Sequence, residues 1–100
     1  MAIMQYMAAQ QIARTKEVRD DGSIIEIVIW QLTEPVPPCT HLFKYSLYFG
    51  ANGACWVRYD NERGKGDHRH VNDEELRYDF FSLDALLADF ENDVRNEGGR

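Results

Sequence analysis

Apolar and polar residues alternate with a period of two along most of this chain, and switch to steps of three and four only near its end. A period of two sends successive side chains to opposite faces of a strand, while steps of three and four keep them on one face of a helix. Gln11 to Glu17 and Ser23 to Leu32 read as two strands joined through Asp20-Asp21-Gly22-Ser23. Asp-Gly predicts a type I′ turn, because both residues tolerate positive φ. The run Ile24-Ile25-Glu26-Ile27-Val28-Ile29-Trp30 is β-branched and nearly continuous, the pattern of a central strand. Glu26 stands out in it, as a carboxylate aimed at solvent on an open face or paired with a cation. Glu34-Pro35-Val36-Pro37-Pro38 then removes backbone donors and stiffens the chain into a loop.

Two more strands follow. Phe43, Tyr45, Leu47 and Phe49 alternate with Lys44, Ser46 and Tyr48, and Cys55, Val57 and Tyr59 alternate with Trp56, Arg58 and Asp60. Asn52-Gly53 between them predicts a second hairpin. The polar run from Asn61 to His70 leaves the edge of that hairpin. Leu76, Tyr78 and Phe80 alternate with Arg77 and Asp79, which reads as a short fifth strand. Ser82 is a helix N-cap, and Asp84 in the first turn suits the helix dipole. Leu83, Leu86, Leu87, Phe90 and Val94 form one apolar stripe, Arg95 suits the last turn, and Gly98-Gly99 ends the helix. The fold class is therefore α+β: an antiparallel sheet of about five strands built from two hairpins, with a C-terminal amphipathic helix packed on one face. Residues 1–100 read as a single domain, with 1–10 as an N-terminal extension.

Composition narrows the function. A hydrophobic fraction of 44% argues against disorder. No apolar run approaches the roughly 18 to 20 residues that span a bilayer, so no membrane partner is expected. The start, Met1 to Met7, lacks a basic head and a long apolar body, and the reading places the protein in the cytoplasm. Cys39 and Cys55 lie too far apart for a CxxC pair and read as reduced thiols. The net charge of −6 speaks against a surface that grips nucleic acid all over. Acids crowd the segment from Asp73 to Glu97, whereas Arg58, Arg63, Lys65 and Arg69 gather ahead of it. That division suits an anion site beside a face for a basic partner.

Lys65-Gly66-Asp67-His68-Arg69-His70 concentrates the chemistry. No apolar side chain interrupts these residues, so core packing does not explain them. In an extended segment His68 and His70 point the same way, with Lys65, Asp67 and Arg69 on the other side. Two imidazoles at this spacing can work as an acid and a base, with cations holding phosphate. His-x-His is equally a metal pair, with Asp67 or a remote carboxylate as a third ligand. The third reading is a solvated loop whose histidines cap backbone groups. Spacing alone leaves the three open.

The motif Arg58-Tyr59-Asp60-Asn61-Glu62-Arg63-Gly64-Lys65-Gly66-Asp67-His68-Arg69-His70 strongly resembles the signature of the TumE-type toxins of bacterial toxin–antitoxin pairs. The likeness extends back through Asp21-Gly22, Glu26 and Trp30, and forward through Tyr78, Phe80 and Ser82 to Leu86-Leu87-Ala88-Asp89-Phe90. The resemblance implies a small ribonuclease-type toxin of a type II system, held inactive by a helix-turn-helix DNA-binding antitoxin. In that reading His68 and His70 exchange protons with an RNA substrate, helped by Lys65 and Asp67, while Arg69, Arg58, Tyr59 and Asp60 bind or brace it. Neither a metal nor another cofactor is called for. The rival readings are a metal-dependent nuclease using His68, His70, Asp67 and Asp60, and a non-catalytic protein-binding module. Tyr48, Trp56 and Tyr59 are the aromatics available to stack on bases. Glu26 and Trp30 have no role that the residues themselves suggest. The open edge of the first strand favours a homodimer.

Overall fold

The structure is a computed structural model and describes residues 9–97. Most of the segment read as an N-terminal extension lies outside the described residues. Six strands, β1 (Gln10–Val18), β2 (Ile24–Gln31), β3 (Phe43–Ala51), β4 (Ala54–Glu62), β5 (Gly66–Val71) and β6 (Glu74–Arg77), are followed by α1 (Leu83–Glu97). The strands pair in chain order, each antiparallel to the next, so the sheet is a meander with the helix on one face. The expected α+β architecture is present, with one strand more than the pattern suggested. None of the described helices is long and apolar enough to cross a membrane.

Register places the two faces. Ile29, Tyr45, Leu47, Phe49, Val57 and Tyr59 form the buried layer, and Leu86, Phe90 and Val94 of α1 close over it. Ser82 caps α1 by accepting from Ala85 N at 3.0 Å, as its position in the sequence indicates. Trp56 departs from strict alternation. The register shifts at this point, Phe49 pairing with Val57 and Gly50 with Cys55, so Trp56 is the extra residue of a bulge. Its ring lies edge-on to Phe49 at 5.1 Å instead of facing solvent.

The turns differ in chemistry. Asn52 (φ 54°) and Gly53 (φ 79°) both adopt positive φ, the pair needed by the expected type I′ turn. At the first hairpin only Gly22 does so (φ 87°). Gly22 N donates to Arg19 O and Arg19 N to Ser23 O, a turn followed by a glycine bulge in place of type I′. Asp21 meanwhile accepts from Ser23 N and Oγ.

The unexpected strand is β5. The polar run that reads as a loop pairs along one side with β4, from Val57↔Val71 to Glu62↔Gly66, and along the other with β6. Strand pairing ends at Arg77, short of the expected Phe80; beyond it Tyr78 N still donates to Asp67 O. The proline loop docks on the β4–β5 turn, where Gly64 N donates to Pro37 O. Gly66 needs to be glycine there: its φ is +82° and an added Cβ would press within 3.3 Å of Pro38.

Candidate functional site

Directly paired residues share a face, so the register aligns side chains in rows across the sheet. On the face away from α1, one row runs Lys16, Glu26, Tyr48, Arg58, His70, Glu75, and the next runs Arg14, Val28, Ser46, Asp60, His68, Arg77. Glu26 is exposed on this open face, in register with Lys16 and Tyr48. Trp30 stands beyond it opposite Lys44.

Where the rows cross β4 and β5, the polar groups meet. The His68 and His70 rings lie edge to face with centroids 5.5 Å apart. His68 Nδ1 is 3.1 Å from Gly66 O, an acceptor only, so Nδ1 carries a proton. His68 Nε2 lies 2.5 Å from Asp60 Oδ1 and 3.8 Å from Glu62 Oε1. The Asp60 contact is an ion-pair distance without hydrogen-bond alignment, and both atoms are buried with no aligned partner. Asp60 Oδ2 sits 3.5 Å from Arg58 Nε, and Arg58 Nη2 is 3.3 Å from His70 Nε2. A guanidinium only donates, so His70 Nε2 is the acceptor and holds a lone pair. Glu75 Oε2 is 3.9 Å from that same nitrogen, and Glu75 is paired with Lys65. Their hydrogen bond holds the Lys65 ammonium above its ordinary range and the Glu75 carboxyl below its own.

Exposure separates the two histidines. His68 is 3% exposed and faces inward on its partners, whereas the Arg58 side chain is 40% exposed and His70 stands partly open beside it. From solvent this face therefore presents Arg58, His70 and Lys65, with His68 and Asp60 beneath.

Three other residues singled out in the sequence lie on the opposite face. Tyr59 is fully buried, and its hydroxyl donates to Asp93 of α1. Arg69 Nη1 donates to the Tyr59 hydroxyl at 3.1 Å and reaches Asp93 at 3.4 Å. Asp67 accepts from Tyr45 Oη at 2.6 Å and lies 2.8 Å from His41 Nε2. The structure does not bring these three together with His68 and His70. Of the aromatics considered for stacking, Trp56 and Tyr59 belong to the core, and only Tyr48 lies on the open face.

His41 is a site residue that the sequence does not reveal. It follows the proline run with no titratable residue adjacent in the chain to mark it, and its side-chain partner Asp67 is 26 residues away. Phe43 N donates to His41 Nδ1 at 3.1 Å, so Nε2 carries the proton and donates to Asp67. Cys39 lies close enough to share an ion with both. Its thiol is pushed up by burial, and both nitrogens of His41 are engaged elsewhere, so the imidazole is not placed to activate it. The stacked His41 and Phe80 rings, 3.8 Å apart, wall a cleft of about 500 Å³ that also includes Lys65, Asp67 and Arg77. This second cluster fastens the proline loop to β5.

Two sets of side chains are spaced to hold a metal among the described residues: Cys39, His41 and Asp67, and Asp60, His68 and His70. In the first, the Phe43 amide obliges Nδ1 to stay unprotonated, so a metal at Nε2 would demand a fully deprotonated ring. In the second, Nδ1–H of His68 is anchored on a carbonyl and Nε2 is turned to Asp60, so a metal would take Nε2 and displace the proton between it and the carboxylate.

No curated protein and no solved structure matches this chain. A family model described as Toxin TumE matches residues 5–97, nearly the whole length, including both faces of the sheet and α1. The chain belongs to the TumE toxin family.

Proposed function

We propose that this toxin is a ribonuclease that cleaves RNA by metal-independent proton transfer, and that its partner is a helix-turn-helix DNA-binding antitoxin that holds it inactive. The observation that carries the reading is the Arg58–His70 contact, which sets an acceptor nitrogen beside a guanidinium at the surface of the open face. Phosphodiester cleavage needs those two functions side by side: a base for the ribose 2′-hydroxyl and a cation for the charge that grows on the phosphoryl oxygens.

In this reading Arg58 turns from His70 to the phosphate, and the freed His70 Nε2 takes the 2′-hydroxyl proton as the oxygen bonds to phosphorus. The bond from phosphorus to the 5′ oxygen breaks on the opposite side of phosphorus, where water protonates the departing oxygen, and the His70 imidazolium then returns its proton to solvent. The products are a 2′,3′-cyclic phosphate and a 5′-hydroxyl. Arg58 and Lys65 hold the phosphoryl oxygens. His68 acts through Asp60, which braces Arg58, because a ring this deeply buried does not reach the substrate. The expected exchange between two imidazoles thus narrows to one ring, and Asp67 and Arg69 leave the reaction for the opposite face.

Expression of the wild type and of His70→Gln and Arg58→Ala variants, each without antitoxin, tests this through growth and RNA integrity. The wild type arrests growth and degrades RNA; His70→Gln loses about 10² to 10⁴ of the cleavage rate, and thermal unfolding shows that it remains folded. Growth arrest with intact RNA would remove the nuclease reading, and full cleavage by His70→Gln would remove His70 as the base.

A further inference from the structure

Proton transfer at His70 leaves one feature of the same face unexplained. Asp60 Oδ1 and His68 Nε2 are both buried and lie 2.5 Å apart, yet no aligned hydrogen bond joins them to each other or to another group. Buried polar atoms are satisfied in the great majority of cases, and an exception points to a bound water or ion. We propose that Asp60, His68 and His70 form a binding site for a divalent transition-metal ion of the zinc class, and that occupancy suppresses cleavage by taking up His70 Nε2.

The donor set selects the class of ion. One carboxylate and two imidazoles suit Zn²⁺ and its first-row neighbours, whereas Mg²⁺ and Ca²⁺ seek oxygen-rich sites. The ligating atoms lie within 4.8 Å of one another. A tetrahedral Zn²⁺ with bonds of about 2.0 to 2.2 Å holds its ligands roughly 3.3 to 3.5 Å apart. Inserting the ion would relieve the tight approach of Asp60 to His68 and draw His70 inward.

Support around the ligands is already in place. Gly66 O holds the proton of His68 Nδ1 and so directs Nε2 to the ligand side, and strand pairing sets Asp60 directly opposite it. One group must move. Arg58 gives up its contact with His70, and its long, partly exposed side chain can turn to solvent. A fourth position remains for water. The suppression rests on the role proposed for His70, whereas binding of the ion does not.

Calorimetry of the purified metal-free chain with Zn²⁺ tests the site, and Co²⁺ absorption reports the ligands. The expected result is one saturable ion per chain, unaffected by millimolar Mg²⁺, and a Co²⁺ spectrum without sulfur charge transfer. Asp60→Asn and His70→Gln should each weaken Zn²⁺ binding by at least about tenfold, while Cys39→Ser leaves it unchanged. No saturable binding, binding indifferent to both ligand substitutions, or binding lost with Cys39→Ser would overturn the site. RNA cleavage should fall in step with Zn²⁺ occupancy. Cleavage that rises with occupancy would overturn the suppression and the metal-independent reading together, with the site itself intact.

Discussion

Histidines 68 and 70 have the same chemistry and adjacent places on one face, yet their hydrogen bonds give them different work. His68 spends Nδ1 on a carbonyl and turns Nε2 into the sheet, whereas His70 presents Nε2 as an acceptor to Arg58 near the surface. Their shared face follows from strand alternation and is readable from the sequence. The division of labour is not, because Gly66 O, Asp60 and Arg58 are supplied by the register of β4 against β5. Asn61 shows the same limit. Inside the signature it looks like one more polar residue, but it is fully buried. It accepts from Tyr45 N at 3.0 Å and donates to Phe43 O at 2.8 Å. Asn61→Ala would strand both backbone groups, at a cost on the order of 3 kcal/mol in urea unfolding. A loss below about 1 kcal/mol would mean that water or a backbone shift replaces the side chain.

Among the elements, β2, β3, β4 and α1 announce themselves through apolar periodicity, and β5 does not. β5 turns Asp67, Arg69 and Val71 toward the helix side, and the first two of these are polar. Tyr45 and His41 satisfy the first, and Tyr59 and Asp93 satisfy the second. A strand whose inward residues are held by hydrogen bonds carries no hydrophobic alternation, so the sequence pattern reads it as a loop. The segment after Arg77 errs in the opposite direction. Tyr78 and Phe80 keep the alternation because they pack inward, on Tyr59 and His41, after strand pairing has ended. The start of α1 is the most local of these features. Ser82→Ala removes the acceptor for Ala85 N and should lower stability by about 1 kcal/mol in chemical unfolding, with RNA cleavage preserved. A neutral result would show that packing of Leu86 and Phe90 alone sets the helix end.

Over the whole molecule, three buried phenols tie the elements together through carboxylates: Tyr45 to Asp67, Tyr59 to Asp93 and Tyr78 to Asp89. Burial first, and the bond to an anionic acceptor second, push all three hydroxyls well above the ordinary tyrosine range. The folded chain keeps these protons at a pH where the unfolded chain releases them, so stability falls as pH rises. The contribution is complete below a pH of about 10 and is lost above it, at about 1.4 kcal/mol per pH unit for each phenol. Urea midpoints should fall slowly from about pH 8.5 as the Cys39 and Cys55 thiols, both raised by burial, begin to count, and more steeply beyond 10. A profile that does not steepen between pH 10 and 11.5 would contradict the three pairs. Charge is also divided across the molecule. Asp84, Asp89, Glu91 and Asp93 lie on α1, while Arg14, Lys16, Lys44, Arg58 and Arg77 share the open face with Glu26, Asp60 and Glu75. An acidic protein thereby sets a face of mixed charge opposite an acidic helix, a division that the linear sequence shows only in part because β1 and β6 join the face through the meander. The central claim is that His70 works on the ribose 2′-hydroxyl at that face, and the chemistry of the cut ends tests it most directly. RNA cleaved by the purified toxin in the presence of a strong chelator should carry 2′,3′-cyclic phosphate and 5′-hydroxyl ends, whereas 3′-hydroxyl and 5′-phosphate ends, or cleavage that stops with the chelator, would contradict it.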